Sequence, residues 1–389
     1  MSRLLNESWI EGLPDNIVDN LETLNNYVVQ RICERIRKIG DIGTADAYRL
    51  KTAIEYAGAD IKAIEKEVAR IMGTNQQEIE RLFEEVAKEN VEFANTFYKA
   101  RNMDLLQRYT SRSALTSFVD AVKRQALDGT ANISNTYMIG FKRGKQIIPL
   151  REYYISTIDR AITYVQTGVV DYQSAMRSTV REMAQSGLRR VTWESEYSRR
   201  LDSSARMNIL EGVRRLNSQM MEETGREFGA DGVEISAHGL CAPDHRDIQG
   251  KQYSKEEFER LNRRLERPIG TLNCQHFITP IILGVSKPVY SRKELAEINK
   301  RSAERIEYKG QKMSRYEASQ KQRQIETAIR YAKDERDAMI AAGDKLGAAQ
   351  ARKKSAALGA EYKRFCEQAG LTPRPERTRS MTGPTVQKI

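Results

Sequence analysis

Soft ligands are scarce in this chain: its 389 residues include three histidines and four cysteines. The cysteines (Cys33, Cys241, Cys274, Cys366) lie scattered over three regions, which excludes a disulfide framework and fits a reducing compartment. Cys33 and Cys366 sit on apolar helix faces and read as buried core thiols. Long apolar runs are missing as well. None approaches the roughly 20 residues that a helical bilayer span needs, so no membrane partner is expected. The opening MSRLLNESWIEGLPDN has neither the basic start nor the apolar middle of a secretion signal. A protein that is soluble and made in a cytoplasm is the expectation.

What is present points to helices. Nine prolines and a hydrophobic fraction of 40% are ordinary globular values, whereas a charged fraction of 30% with mean hydropathy −0.63 implies long amphipathic helices with solvated faces. Such a length exceeds one ordinary core, and two or three domains are expected. The fold class is mainly α: a multi-helix N-terminal region, a small α+β module with short strands, and a C-terminal helical hairpin. Residues 1–130 read as a helical docking or scaffold region, with apolar residues at three and four spacing. In it, Gly73 marks a break and Asn75, with Glu78 three residues on, a helix start close to a capping box. Residues 131–230 read as a helical middle region that opens on a boundary or irregular hairpin at Gly129, Gly140, Gly144 and Pro149. Its helices close at Gly168, Gly187 and Gly229.

Residues 231–290 carry the clear strand signals, DGVEISAH and FITPIILGVSKPVY, around a short helix that starts with the capping box Ser254 and Glu257. Residues 291–371 return to helix, with two more capping boxes (Ser291 with Glu294, Ser314 with Glu317) and a break at Gly343 that makes a hairpin. Residues 372–389 hold three prolines and few apolar residues and read as disordered. The net charge of +11 is concentrated here: from Ser291 onward 23 Lys and Arg face 13 Asp and Glu. A basic hairpin of this kind is either a solvated face or an electrostatic footprint for nucleic acid or for an acidic protein surface; contact with duplex DNA would be sequence-independent and salt-sensitive. On the second reading the contacts are Lys321, Arg323, Arg330, Arg352, Lys353, Lys354, Lys363 and Arg364.

The most specific window is SAHGLCAPDHRDIQGK and, further on, TLNCQHFITP, which together contain all three histidines and two of the four cysteines. Three readings stand. In the first, Cys241 and His245 with Cys274 and His276 hold a zinc ion; residues two apart on a strand share a face, so Cys274 and His276 suit one ion. In the second, no cofactor is bound, and the imidazoles satisfy loop carbonyls and Asp244 or Asp247 while the cysteines fill the core. The third is catalytic. His245, Asn273 and His276 near Asp244 superficially match a metal-dependent nuclease, and Cys241 with His245 a thiol nucleophile and its base. The spacing fits neither enzyme well, and a non-enzyme is expected.

The succession VEIS-AH, PDHRDIQGK, NCQH and P-x3-G-x-S resembles the minor capsid proteins of tailed phages that infect Gram-positive bacteria. It is more distantly similar to the Mu-type head-morphogenesis family. YKGQKMSRYEASQKQRQIETAIRYAKDERDAMIAAGD, running on to FCEQAGL, resembles the family's tyrosine-containing turn and charged helices. The likeness is specific from about Ser203 to Leu371. Carried over, the pattern falls on His238, His245, Gln249, Gly250, Lys251, Asn273, Cys274 and His276, a set that would fix loops; Leu272 stands where the family often has an aromatic. The resemblance implies a structural protein of the virion, made in the host cytoplasm and located in the phage head. Portal or major capsid protein would be its partners, and head assembly or DNA packaging and delivery its role. A nucleic-acid-processing enzyme and an assembly factor absent from the particle are the alternatives.

Overall fold

In the computed structural model the described residues are 7–41, 47–99, 139–167, 171–190, 198–271 and 274–380, with Asp120 and Arg124. After the short α1 (Glu7–Gly12), α2 (Asp15–Gly40) buries Ile17, Leu21, Leu24, Val28, Ile32, Ile36 and Ile39 along one stripe. Each such side chain contributes about 1.5–3 kcal/mol when taken from water. The stripe packs on α3 (Ala47–Lys99), which matches it with Ile64, Val68, Ile71, Ile79, Phe83 and Val86.

At 53 residues α3 is about 80 Å long, and it runs unbroken through Gly73 and Asn75, where the sequence pattern predicts a break and a cap. The reason is tertiary. Asn75 is buried and its Oδ1 accepts Asn20 Nδ2–H of α2 at 2.8 Å, so the carboxamide ties two helices together. Glycine inside a helix costs about 1 kcal/mol, which the flanking buried Ile71, Met72 and Ile79 outweigh.

The expected hairpin is present: β1 (Ile139–Arg143) and β2 (Gln146–Pro149) pair antiparallel, with Arg143 opposite Gln146, and β3 (Arg189–Arg190) adds to the other edge of β1. The helices α4 (Leu150–Gln166), α5 (Tyr172–Ser186) and α6 (Leu201–Glu227) follow. One buried cluster runs from Ile17 of α2 through Met220 of α6 and takes in Ala338, Met339, Ala342 and Ala348, so the elements before residue 100, those from 139 to 220 and the stretch from 338 to 348 share a core.

The small module is a three-stranded antiparallel sheet in the order β5-β4-β6, made of β4 (Gly232–Ile235), β5 (Gln252–Ser254) and β6 (Ile278–Ile281). Helix α7 (Lys255–Asn262) leaves β5 through the Ser254–Glu257 capping box. Next come α8 (Arg292–Ala303) and a tight pair, β7 (Arg305–Tyr308) with β8 (Gln311–Ser314), which periodicity did not reveal. Four-residue strands carry too little alternation to register, although the Lys309-Gly310 turn, with both residues at positive φ, is hairpin chemistry. The hairpin of α9 (Arg315–Ala341) and α10 (Lys345–Ala369) turns at Gly343, and all three expected capping boxes are formed.

Two features of the C-terminal part correct the sequence-based expectation. The first is the segment from 372, expected to be disordered. Up to 380 it is held in place: Gln322 donates to the Thr372 carbonyl, the Arg374 amide to Tyr362 Oη, Lys333 to the Thr378 carbonyl, and a 3-10 turn forms over Pro375–Thr378. Glu11 of α1 accepts Arg374 at 2.8 Å and Arg377 at 3.0 Å. Residues 381–389 lie outside the described residues.

The second is Arg330, which turns inward. It joins Arg200, Asp202, Asp334 and Glu22 in a buried network: Arg200 reaches Asp334 at 3.1 Å and Asp202 at 3.3 Å, and Arg330 bonds Asp202 at 2.9 Å and Glu22 beside it. Three carboxylates share two guanidinium groups, which leaves one negative charge in excess. Burial pushes the Glu22 carboxyl up to about 7, against the pull of Arg330, and raises Asp334 as well. In Asp202 burial acts in the same sense, but Arg200 and Arg330 overcome it and hold the carboxyl low.

The sign of the resulting pH effect follows from Glu22. Between its ordinary 4.5 and about 7 the folded protein keeps a proton that the unfolded chain releases. Its contribution therefore favours folding at low pH and is lost as the pH rises through about 7. Glu22→Gln removes that loss. Thermal unfolding of both proteins near pH 5 and near pH 8 is expected to show the stability difference moving in the variant's favour by about 1–3 kcal/mol on going to the higher pH; a difference that is flat with pH would place the shared proton elsewhere.

Candidate functional site

One end of the small sheet, after β4 and before β6, carries the histidine and cysteine window. From β4 the chain leaves Ile235, loops out through residues 236–249 and returns at Gly250, whose N–H donates to the Ile235 carbonyl at 2.8 Å. Gly250 has φ +68, a conformation that favours glycine, and a Cβ there would stand 2.4 Å from Leu295 Cδ1 of α8, so that side chain would have to move.

Gln249, fully buried, is the hub. Its Oε1 accepts the backbone N–H of His238 at 3.0 Å and lies 3.0 Å from His276 Nε2, while its Nε2 donates to Asn299 Oδ1 at 2.8 Å. The backbone N–H decides which end of the amide is oxygen, and oxygen there requires His276 to carry its proton on Nε2. A 3-10 turn over Pro243–His245 swings His245 inward, where Nε2 meets the Arg267 carbonyl at 2.7 Å. That nitrogen is protonated too, since a carbonyl only accepts.

Cys274 and His276 precede β6 in extended chain, with Cys274 Sγ 3.4 Å from His276 Nδ1. One ligand atom from each of His245, Cys274 and His276 lies within 4.8 Å of the others. The His276 ring packs against His238 at 4.4 Å and His245 at 5.1 Å between centroids. Burial lowers His276 to about 2 and His238 to about 4, helped by the neighbouring imidazoles, so both rings are neutral. Burial acts against charge in His245 and Cys274 also, yet their mutual hydrogen bond raises the imidazole and lowers the thiol. A small cavity of about 100 Å³, lined by His238, His245, Cys274, His276 and Arg267, opens beside the group.

Not every residue singled out from the sequence joins this group. Cys241 points away, its Sγ 3.0 Å from Ser302 Oγ of α8. Lys251 is exposed and contributes its backbone carbonyl to the Ile235 N–H. Asn273, which the nuclease-like reading needs, lies outside the described residues. Asn299, Ser302 and Arg267 were missed. They act through an amide, a hydroxyl and a main-chain carbonyl supplied from α8 and a loop, and no local pattern marks such roles.

The eight basic residues proposed for nucleic acid do not form one face either. Arg330 is buried in the ionic network, and Arg323 reaches Glu11 at 3.8 Å. Lys321 lies over the Tyr308 ring and bonds Gln311, Lys354 lies 3.8 Å from Glu335, and Arg364 lies 3.4 Å from Glu361. On α10, however, Arg352, Lys353, Lys363 and Arg364 are all exposed. Arg352 with Lys363, and Lys353 with Arg364, are each separated by about three helical turns, which puts them on one side of the helix.

Since Gln249 serves three partners, its truncation strands buried polar groups. Gln249→Ala is expected to cost about 2–5 kcal/mol in urea unfolding, whereas Lys251→Ala, at an exposed position, stays within about 0.5 kcal/mol. Equal effects of the two would remove Gln249 from the centre of the site.

Comparison with known proteins follows the same residues. The family described as phage minor capsid protein 2 matches residues 5–367, which includes the whole of the histidine and cysteine module and extends the resemblance from the C-terminal half through the first helix. No curated protein and no solved structure matches the chain. A match over nearly the entire length, with the histidine and cysteine module inside it, means that this protein belongs to the phage minor capsid protein 2 family.

Proposed function

We propose that the protein is a structural component of the phage head, docked on portal or shell through its long N-terminal helices and acting in head assembly or in DNA packaging and delivery. The observation that carries this reading is the family match from residue 5 to residue 367. The 53-residue α3 favours a docking role, because an element of about 80 Å offers more surface than one core covers.

The exposed side of α10 favours packaged DNA as a second partner. Arg352, Lys353, Lys363 and Arg364 form a row of cations that meets phosphate without reading bases. Arg330 and Arg323 have no part in that row. The interaction is sequence-independent, and salt weakens it steeply.

Quantitative mass spectrometry of gradient-purified particles, before and after DNA ejection, is the direct test of the virion role. The protein is expected in full particles at far fewer copies than the major shell protein. Its absence there would make it an assembly factor instead. For DNA binding, retardation assays at several salt concentrations would compare the wild-type chain with Arg352→Ala, Lys353→Ala and Lys363→Ala. The slope of log affinity against log salt is expected to become shallower by about 0.9 for each phosphate that a variant no longer neutralises. An unchanged slope in the triple variant would assign the α10 row to a protein surface.

A further inference from the structure

Within the histidine and cysteine group the hydrogen bonds do not close. His245 and His276 both commit their Nε2 protons outward, to the Arg267 carbonyl and to Gln249 Oε1. Each therefore turns an Nδ1 lone pair inward, and a neutral imidazole has no second proton to offer. Between them stands Cys274, and a thiol has one proton, enough for one lone pair and not for two. His238 adds to the shortage, since both its ring nitrogens are buried without a partner. The group has more lone pairs than protons, and the two ring nitrogens of His238 are closed off from solvent. Buried polar atoms in native proteins are paired in the great majority of cases, so such a surplus needs a cause.

We infer that His245, Cys274 and His276 bind one zinc ion through Nδ1, Sγ and Nδ1, with His238, packed against His276, supplying the fourth nitrogen. The ion takes the place of the missing protons. Nitrogen with a single sulfur is a donor set that zinc accepts and that calcium or magnesium does not. Bonds of about 2.0–2.3 Å place tetrahedral ligand atoms about 3.3–3.8 Å apart. The three atoms lie within 4.8 Å of one another, so closure by roughly 1 Å brings them to that spacing. Arg267 and Gln249 already hold the outer N–H groups, the arrangement that orients histidine on a metal.

The set differs from the one that spacing alone picks out. Cys241, the first cysteine of the window, bonds Ser302, and His238 stands in its place. This gives three nitrogens and one sulfur, four protein ligands that leave no open coordination position, which suits a staple rather than a reaction centre. The module has reason to need one. Its own buried hydrophobic cluster contains only Ile235, Ile248 and Ile269, with partly buried neighbours around them, and a core that small rarely holds a fold without a metal or disulfide. The ion would join the loop after β4 to the segment before β6, across roughly 30 to 40 residues of sequence.

The full-length chain, purified without chelator, is the material for the test. Elemental analysis is expected to give about one zinc per chain, and the apoprotein is expected to take up cobalt(II) with the charge-transfer absorption of one thiolate and the strong visible bands of a tetrahedral ion. Cys274→Ser is expected to lose the thiolate band and His276→Gln to weaken uptake at least tenfold, while Cys241→Ser keeps both. Chelator is expected to lower the melting temperature of the wild-type chain and leave Cys274→Ser unmoved. Should either variant fail to fold, the wild-type cobalt spectrum and the Cys241→Ser variant decide alone. Less than about a tenth of an equivalent of zinc, with no cobalt absorption on loading, overturns the inference; so does a thiolate band that disappears with Cys241→Ser.

Discussion

The fold depends most on the buried ionic network that fastens the C-terminal hairpin to the N-terminal helices. Arg200 stands at the start of α6 with its guanidinium between Asp202 and Asp334 and over the Tyr331 ring. The same group lies against Gly187, where a Cβ would come within 2.7 Å of its carbon, so glycine both ends α5 and leaves room for the charge. Arg330 then carries the link to Glu22 of α2. Three elements distant in sequence, α2, the start of α6 and α9, meet at five ionised or ionisable side chains. Taken one at a time these charges would be intolerable in the interior. Taken together they are nearly balanced, and their directional bonds select one docking of the hairpin among the many that apolar contact alone would permit. Arg177 with Asp344 and Arg181 with Glu335 repeat the pairing farther along the same seam.

That seam changes how the basic C-terminal sequence is to be understood. A surplus of ten positive charges after residue 291 looks like an outward-facing patch when it is counted. In the folded chain Arg323, Arg330, Arg374 and Arg377 face acids of the N-terminal part, namely Glu11, Glu22 and Asp202. Those cations serve cohesion. Among the cations left exposed, those on α10 form an aligned row, because side chains about three turns apart on a solvated helix stay in register whatever the other face does. Glu11 further joins α1 to the end of the described chain and, through Gln275, to the small module. The two ends of the described chain and its histidine window thus meet at one carboxylate.

Local chemistry was legible in the sequence and tertiary choice was not. Ser254, Ser291 and Ser314 announce their helices because a capping box satisfies donors within four residues, and Gly343 announces a turn for the same reason of short range. Asn75 shows the limit. Its amide has the chemistry of a cap, and only the presence of Asn20 on a second helix decides that it bridges instead. Arg374 and Arg377, in a proline-bearing segment poor in apolar residues, are likewise ordered by Glu11 from the opposite end of the chain. Among the site residues, Gln249 and Gly250 stood out through family likeness, whereas Arg267 works by its main-chain carbonyl, and a main-chain carbonyl has no signature in any sequence.

The small module brings these levels together. Its sheet is three short strands and, among the described residues, its own buried apolar cluster is three isoleucines, too little to hold a loop of some fifteen residues in one conformation by burial. The loop is held instead by polar bonds that converge on Gln249. Polar bonds are directional, so they fix the loop sharply, but each contributes only about 1 kcal/mol net in exchange with water. An arrangement of that kind is well defined and weakly held. A metal ion that drew the imidazoles of His245 and His276 and the thiol of Cys274 to one point, with the outer N–H groups of the imidazoles already committed, would supply what the polar bonds lack: strong bonds among groups that burial has already ordered, for little further loss of side-chain freedom.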